Sequence, residues 1–347
     1  MTAGDLPARE DRSPAVTAVV VHAHHLGTDV PEPGPHDRSA PRLVVDSGSA
    51  GRIVCGDVTF RKVTSVLWDV EARLREMDAA GVSHQVVSPV PVTMEHAWSP
   101  GADPAYAGWI NDSVAAACDR SGGRLLGLGC LPLADVGKAI DELARCLDLG
   151  LRGVEIGTRV GDLDLDAPEL DAFWAACDRT GAAVFVHPIL GGQGVVRRAG
   201  QPYDLGLGML ADTAIAASSL VFGGVLERFP SLRVALAHGC GAFPWAYPRL
   251  RVAAGLGSDG DPAAWDALTR RLYADTLVFD DEHLRLLVHR FGAERLLLGS
   301  DAPFFPDQLA KSMRSVDEAR DSGALPAEAG HDRLARNALE FLGLTGD

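Results

Sequence analysis

Short apolar runs alternate with longer amphipathic stretches from residue 19 almost to the end of the chain. The first run, Val19-Val20-Val21, ends in His22-Ala23-His24. Comparable runs of β-branched and aliphatic residues lie at 84–90, 125–131, 153–156, 184–187, 234–238, 276–279 and 296–299. Runs this short, bounded by glycine or polar residues, predict buried strands. Between them, over 68–80, 104–119, 136–149, 167–180, 209–228, 244–254 and 281–290, the apolar positions recur at helical spacing, and several of these stretches close on glycine. Eight strands, each followed by a helix, form the α/β pattern of a (β/α)8 TIM barrel in one domain. Two more helices, at 306–322 and 327–342, are expected to finish the barrel and add a C-terminal extension.

Two segments break this rhythm. Residues 1–14 are polar and acidic, without the apolar core of a signal peptide, and are expected to form a tail before a single domain over 15–347. Residues 27–66 begin with a Pro/Gly/Ser-rich stretch and continue into two runs, 52–58 and 59–66, that suggest a hairpin. That length exceeds a simple βα turn, so the segment is expected to be an insertion over the barrel mouth.

Composition narrows the partners. A net charge of −15 argues against a nucleic-acid or membrane-surface binder, since both of those ligands are polyanionic. No uninterrupted apolar run reaches the length of a membrane span. Six cysteines lie scattered without Cys-x-x-Cys spacing, which suggests reduced thiols in a cytoplasmic protein. A small molecule is the expected partner.

In such a barrel the chemistry sits at the C-terminal ends of the strands. Residues i and i+2 of a strand share a face, so His22 and His24 project together. His187 and His238 end their own runs, and Asp301 follows Leu296-Leu297-Leu298-Gly299-Ser300. Three imidazoles and a carboxylate can hold one divalent metal and leave a position for water. Glu155, at the end of the fourth run, offers a carboxylate that could bridge a second metal or bond a substrate hydroxyl or amine.

The motifs His-x-His, Phe-Val-His-Pro, Ala-His-Gly-x-Gly-Ala-Phe-Pro and Gly-Ser-Asp-x-Pro-Phe resemble those of the amidohydrolase superfamily. Within it the chain is similar to the α-amino-β-carboxymuconate-ε-semialdehyde decarboxylase (ACMSD) family, and the likeness extends to 68–78, 127–132, 222–225 and 337–344. The resemblance implies that His22, His24, His187 and Asp301 bind the metal and that His238 is the acid–base residue, with Asp301 sharing in proton transfer. It also implies that Arg61 holds a substrate carboxylate and that Arg249 does so from a neighbouring subunit, which requires a homodimer. A guanidinium suits that task because its fork matches a carboxylate. Zinc is favoured by the nitrogen ligands, manganese is the alternative, and no organic cofactor is implied.

Departures from the family qualify the substrate. Val20 stands where the family often has aspartate, and Ala302 where ACMSD has tyrosine, although Pro303 and Phe304 remain, Phe304 as a candidate substrate contact. The segment after His187-Pro188 lacks the tryptophans of the ACMSD pocket, and Glu155 replaces a neutral amide. The expected activity is metal-dependent, non-oxidative decarboxylation of a small carboxylated aromatic or muconate-semialdehyde-type compound. One route adds an activated water to a conjugated double bond, and the other protonates a ring carbon. The alternative is hydrolysis of an amide, ester or lactone at the same site. His25 is expected to point away from the site, and His36, His96, His283 and His289 are expected to be solvated. Cys240 is expected near the pocket wall without acting as a nucleophile, and Trp98 and Trp245 are expected to pack.

Overall fold

Eight parallel strands surround one axis in the computed structural model, which describes residues 15–32, 37–99, 102–189, 195–257 and 260–344. They are β1 (Val19–His25), β2 (His84–Pro89), β3 (Leu125–Gly127), β4 (Gly153–Gly157), β5 (Ala183–His187), β6 (Arg233–Leu236), β7 (Tyr273–Asp275) and β8 (Leu296–Ala302). The hydrogen-bonded order is β3-β2-β1-β8-β7-β6-β5-β4, and a parallel bridge between Gly129 and Val154 closes the ring. Gly129 N donates to Gly153 O and Glu155 N to Gly129 O across that seam. The barrel class expected from the pattern is the one observed.

The strands read as unbroken apolar runs because both faces are buried. Val19, Val21, Val86, Phe185 and Leu297 fill the barrel interior, while Val20, Val87, Val184 and Leu298 pack under the helices. The helices start and stop on local chemistry. Asp69 accepts from Glu71 N and Ala72 N at the start of the helix Val70–Ala80, and Gly81 ends it at φ 73°, a left-handed conformation that glycine adopts without a Cβ clash. At the far end of the barrel the helix His331–Phe341 inserts Ala335, Ala338 and Phe341 beneath the interior side chains. Asn337 holds it there through bonds of 2.9 Å to Leu296 O and 2.8 Å to Ala293 O.

Several boundaries differ from the pattern. The seventh strand is Tyr273–Asp275, not 276–279: Val278 N bonds back to Thr276 O, and Phe279 sits at φ 60°. The sixth ends at Leu236, short of His238. The helix expected over 209–228 breaks at Gly223-Gly224, and Pro91–Trp98 and Pro262–Thr269 form helices that the periodicity did not mark. The joined helix Asp204–Phe222 is apolar enough on average to cross a membrane, but it buries Ala216, Ala217, Leu220 and Val221 against the barrel.

The insertion holds a three-stranded antiparallel sheet, Arg42–Val45, Ala50–Cys55 and Val58–Thr64, where a two-stranded hairpin was expected. Gly56, at φ 60°, makes the two-residue turn between the last two strands. Tyr106 Oη donates to Pro41 O at 2.7 Å, and Arg61 Nη2 donates to Phe304 O at 3.0 Å, so the sheet is tied across the mouth. His96, expected to be solvated, is instead buried in the helix Pro91–Trp98 and pairs with Asp37 at 2.9 Å. That contact joins segments 59 residues apart, and no local pattern reveals it. Residues 1–14, His36, 190–194 and the Trp98 side chain lie outside the described residues.

Candidate metal centre and active site

Four ligand atoms, one each from His22, His24, His187 and Asp301, lie within 4.8 Å of one another at the C-terminal end of the barrel. Each imidazole is anchored through Nδ1. His22 Nδ1 donates to Asp275 Oδ2 at 2.6 Å, His24 Nδ1 to Pro89 O at 3.1 Å, and His187 Nδ1 to Pro188 O at 2.6 Å. A backbone carbonyl can only accept, so His24 and His187 carry their proton on Nδ1 and offer an Nε2 lone pair. His24 Nε2 lies 3.1 Å and His22 Nε2 3.5 Å from Asp301 Oδ1. The Nε2 atoms of His22 and His187 are buried with no hydrogen-bond partner. Buried polar atoms left in that state are costly unless something else meets them.

The electrostatics favour a cation at this point. Burial opposes charge on His22, yet the hydrogen bond and charge of Asp275, helped by Asp301 and Glu155, raise its pKa. A setting that favours a proton there favours a metal ion as well. Burial would lift the Asp301 carboxyl, but the imidazoles of His24, His22 and His238 beside it hold it down at about 2. His187 is pushed well below the usual imidazole range by burial and by the rings of His22, His238 and His24. A neutral imidazole is the form that ligates. The residues present fit one divalent ion.

His238 stands beside this cluster rather than in it. Its ring centroid is 5.2 Å from that of His22 and 5.1 Å from that of His187, and its buried Nδ1 has no partner. Burial and the adjacent His22 lower its pKa, so it rests as a neutral base. The backbone is left-handed at both His238 (φ 53°) and Asp301 (φ 55°), a strained state for these residues that recurs where side chains are aimed at a ligand.

Above the cluster opens a cavity of about 340 Å³ lined by His187, His238, Asp301, Arg61 and Phe304 among others. The Arg61 guanidinium lies 4.6 Å over the Phe304 ring and 5.4 Å over that of Phe305. The Phe304 ring in turn lies tilted against that of His24, with centroids 5.2 Å apart. Arg249 is exposed on the helix Phe243–Gly257 and does not reach this chain's own cavity. Glu155, a candidate substrate contact, is fully buried in the barrel interior and is not among the residues lining the cavity. Strand register explains this, since Glu155 lies level with Phe185, below His187. Its pKa is raised by burial, and it is not among the four converging groups. Cys240 is also absent from the wall, and burial pushes its thiol well above the usual range.

Two residues escaped the sequence reading. Asp275 Oδ2 accepts from His22 while Oδ1 accepts from Gly239 N at 2.9 Å, so one carboxylate orients a candidate ligand and fixes the turn carrying His238. The only signal was the three-residue run Tyr273-Ala274-Asp275, too short to stand out. Arg73, buried in the helix Val70–Ala80, donates to Gln85 Oε1 at 2.6 Å and to His24 O, and so clamps the end of β1.

Comparison with known proteins follows the same line. A family model described as amidohydrolase matches residues 21–344. A 2-amino-3-carboxymuconate-6-semialdehyde decarboxylase of Dictyostelium discoideum is 35% identical over 296 residues, covering 82% of this chain and 79% of that protein. A gamma-resorcylate decarboxylase of Rhizobium radiobacter is 26% identical over 327 residues, covering 86% and 94%. Among solved structures, 5-carboxyvanillate decarboxylase from Sphingomonas paucimobilis superposes with a TM-score of 0.75 at 22% identity, covering 95% of this chain and 100% of that one. With its barrel closed and its histidines gathered at one end, the chain belongs to the amidohydrolase family, on the branch that holds the aminocarboxymuconate-semialdehyde decarboxylases.

Proposed function

We propose that this protein is a metal-dependent, non-oxidative decarboxylase of a small carboxylated aromatic or conjugated acid. The observation that carries the reading is the convergence of His22, His24, His187 and Asp301 on one point beneath a cavity whose wall holds an arginine. The decarboxylase names of the relatives support it. The four groups hold one divalent ion, zinc favoured by three nitrogen donors and manganese the alternative. When bound, such an ion supplies Lewis acidity next to the scissile bond.

The chain's own residues do the rest. Arg61 is paired with no carboxylate among the described residues, which leaves its remaining N–H groups for a substrate carboxylate. Phe304 offers an aromatic face for a conjugated substrate. His238, neutral at rest, takes and returns a proton, and Asp301 shares in that transfer. The C–CO2 bond breaks with its electron pair kept on the substrate carbon; a proton then occupies that position and CO2 leaves. Loading the protein with zinc or manganese and offering hydroxybenzoates and muconate-type acids should release CO2. Cleavage of esters or lactones with no CO2 from any acid would instead establish the hydrolytic alternative.

The same reading includes a homodimer. Trp245, expected to pack, is 80% exposed, and Val252 (62%) and Leu256 (86%) share its helix face with Arg249. Large apolar side chains at this spacing on an open face mark an interaction surface. A second copy covers the stripe and carries its Arg249 toward the neighbouring cavity. Mixing inactive Arg249→Ala with inactive His238→Ala protein should regain activity, because one site of each mixed pair is then complete; no regain counts against the sharing.

A further inference from the structure

We propose, on the footing of the decarboxylase reading above, that the acid taken by this site carries an apolar arm, an alkyl or aryl substituent that leaves the ring opposite its carboxylate and runs along the cavity wall to the mouth. Among the described residues the polar lining consists of His187, His238 and Asp301 at the floor, Arg61 on the wall and His283 at the rim. Among the described residues no serine, threonine, asparagine, glutamine, tyrosine or lysine lines the cavity. Ring hydroxyls facing this chain's own apolar wall would therefore lose water and find no side-chain hydrogen bond among the described residues.

The rim adds a separate observation. Phe279 is 73% exposed, Phe60 41% and Leu205 40%, an apolar collar around the opening. Phe279 is also held at φ 60°, a strained backbone state for a bulky side chain. Its stabilising contacts in return are slight, because its ring is open to solvent and 6.5 Å from that of Phe305. An exposed, strained aromatic at the mouth is placed for a ligand rather than for the core. Ile189, Met209 and Val278 continue the apolar surface inward to the histidines.

The test is binding to the metal-loaded protein, by calorimetry, of benzoate, 4-methyl-, 4-propyl- and 4-pentylbenzoate, with 3,4,5-trihydroxybenzoate for comparison. Affinity should rise about fourfold per methylene along the series, and the trihydroxy acid should bind no better than benzoate. Phe279→Asn keeps a residue that tolerates the left-handed backbone and should lower the ratio of pentyl to unsubstituted affinity about tenfold. A flat or falling series, no binding by any member, or preference for the trihydroxy acid overturns the proposal. CO2 release from 2-hydroxy-4-alkylbenzoates is scored separately. A rising binding series without CO2 leaves the arm standing and defeats decarboxylation; CO2 without the rise does the reverse.

Discussion

Replacing His238 with asparagine should lower kcat by about 10²- to 10⁴-fold, the usual contribution of a positioned proton carrier, while leaving the metal bound. The two effects separate because His238 lies outside the four converging groups, with its ring beside theirs and its Nδ1 unpartnered. Asparagine is the informative substitution. The residue occupies φ 53°, and asparagine accepts that backbone more readily than most side chains, so the turn fixed by Asp275 and Gly239 survives. Metal content measured on the same preparation decides the role. Metal lost together with activity makes His238 a ligand, and unchanged kcat removes it from proton transfer.

How far the site could be read in advance depended on strand length and on distance along the chain. β1, β5 and β8 are five to seven residues long and buried on both faces, so their apolar runs stand out and the histidines or aspartate at their ends are conspicuous. β7 has three residues, and the run after it, Thr276 to Phe279, looks more like a strand than the strand itself. Asp275 was hidden for that reason, although it touches both His22 and the His238 turn. Glu155 lies deeper than the sequence suggested. Its place near a strand end suggested the mouth, but two further residues of β4 lie beyond it, and its carboxylate stays inside the barrel. Contacts such as His96 with Asp37, or Arg61 with Phe304 across 243 residues, exist only once the chain has folded.

The other large effect is expected from His187→Ala, which should abolish metal binding at micromolar ion and bring CO2 release to background. His187 supplies one of the four donors found among the described residues, and its Nε2 has no other partner there. Thermal unfolding supplies a readout independent of turnover. Free ion held about 100-fold above its dissociation constant stabilises a folded site by about 2.7 kcal/mol, so wild-type protein should melt higher with metal and His187→Ala should not. Asp275→Asn should fall between them. Asparagine can still accept from Gly239 N, but its amide facing His22 Nδ1 favours the tautomer with the proton on Nε2, which blocks the ligand lone pair. Loss of such an orienting carboxylate typically costs about 10- to 100-fold in metal affinity, so its melting shift should return at higher ion concentration. If His187→Ala bound metal as tightly as wild type, the cluster would not be the metal site, and the decarboxylase reading would lose the observation that carries it.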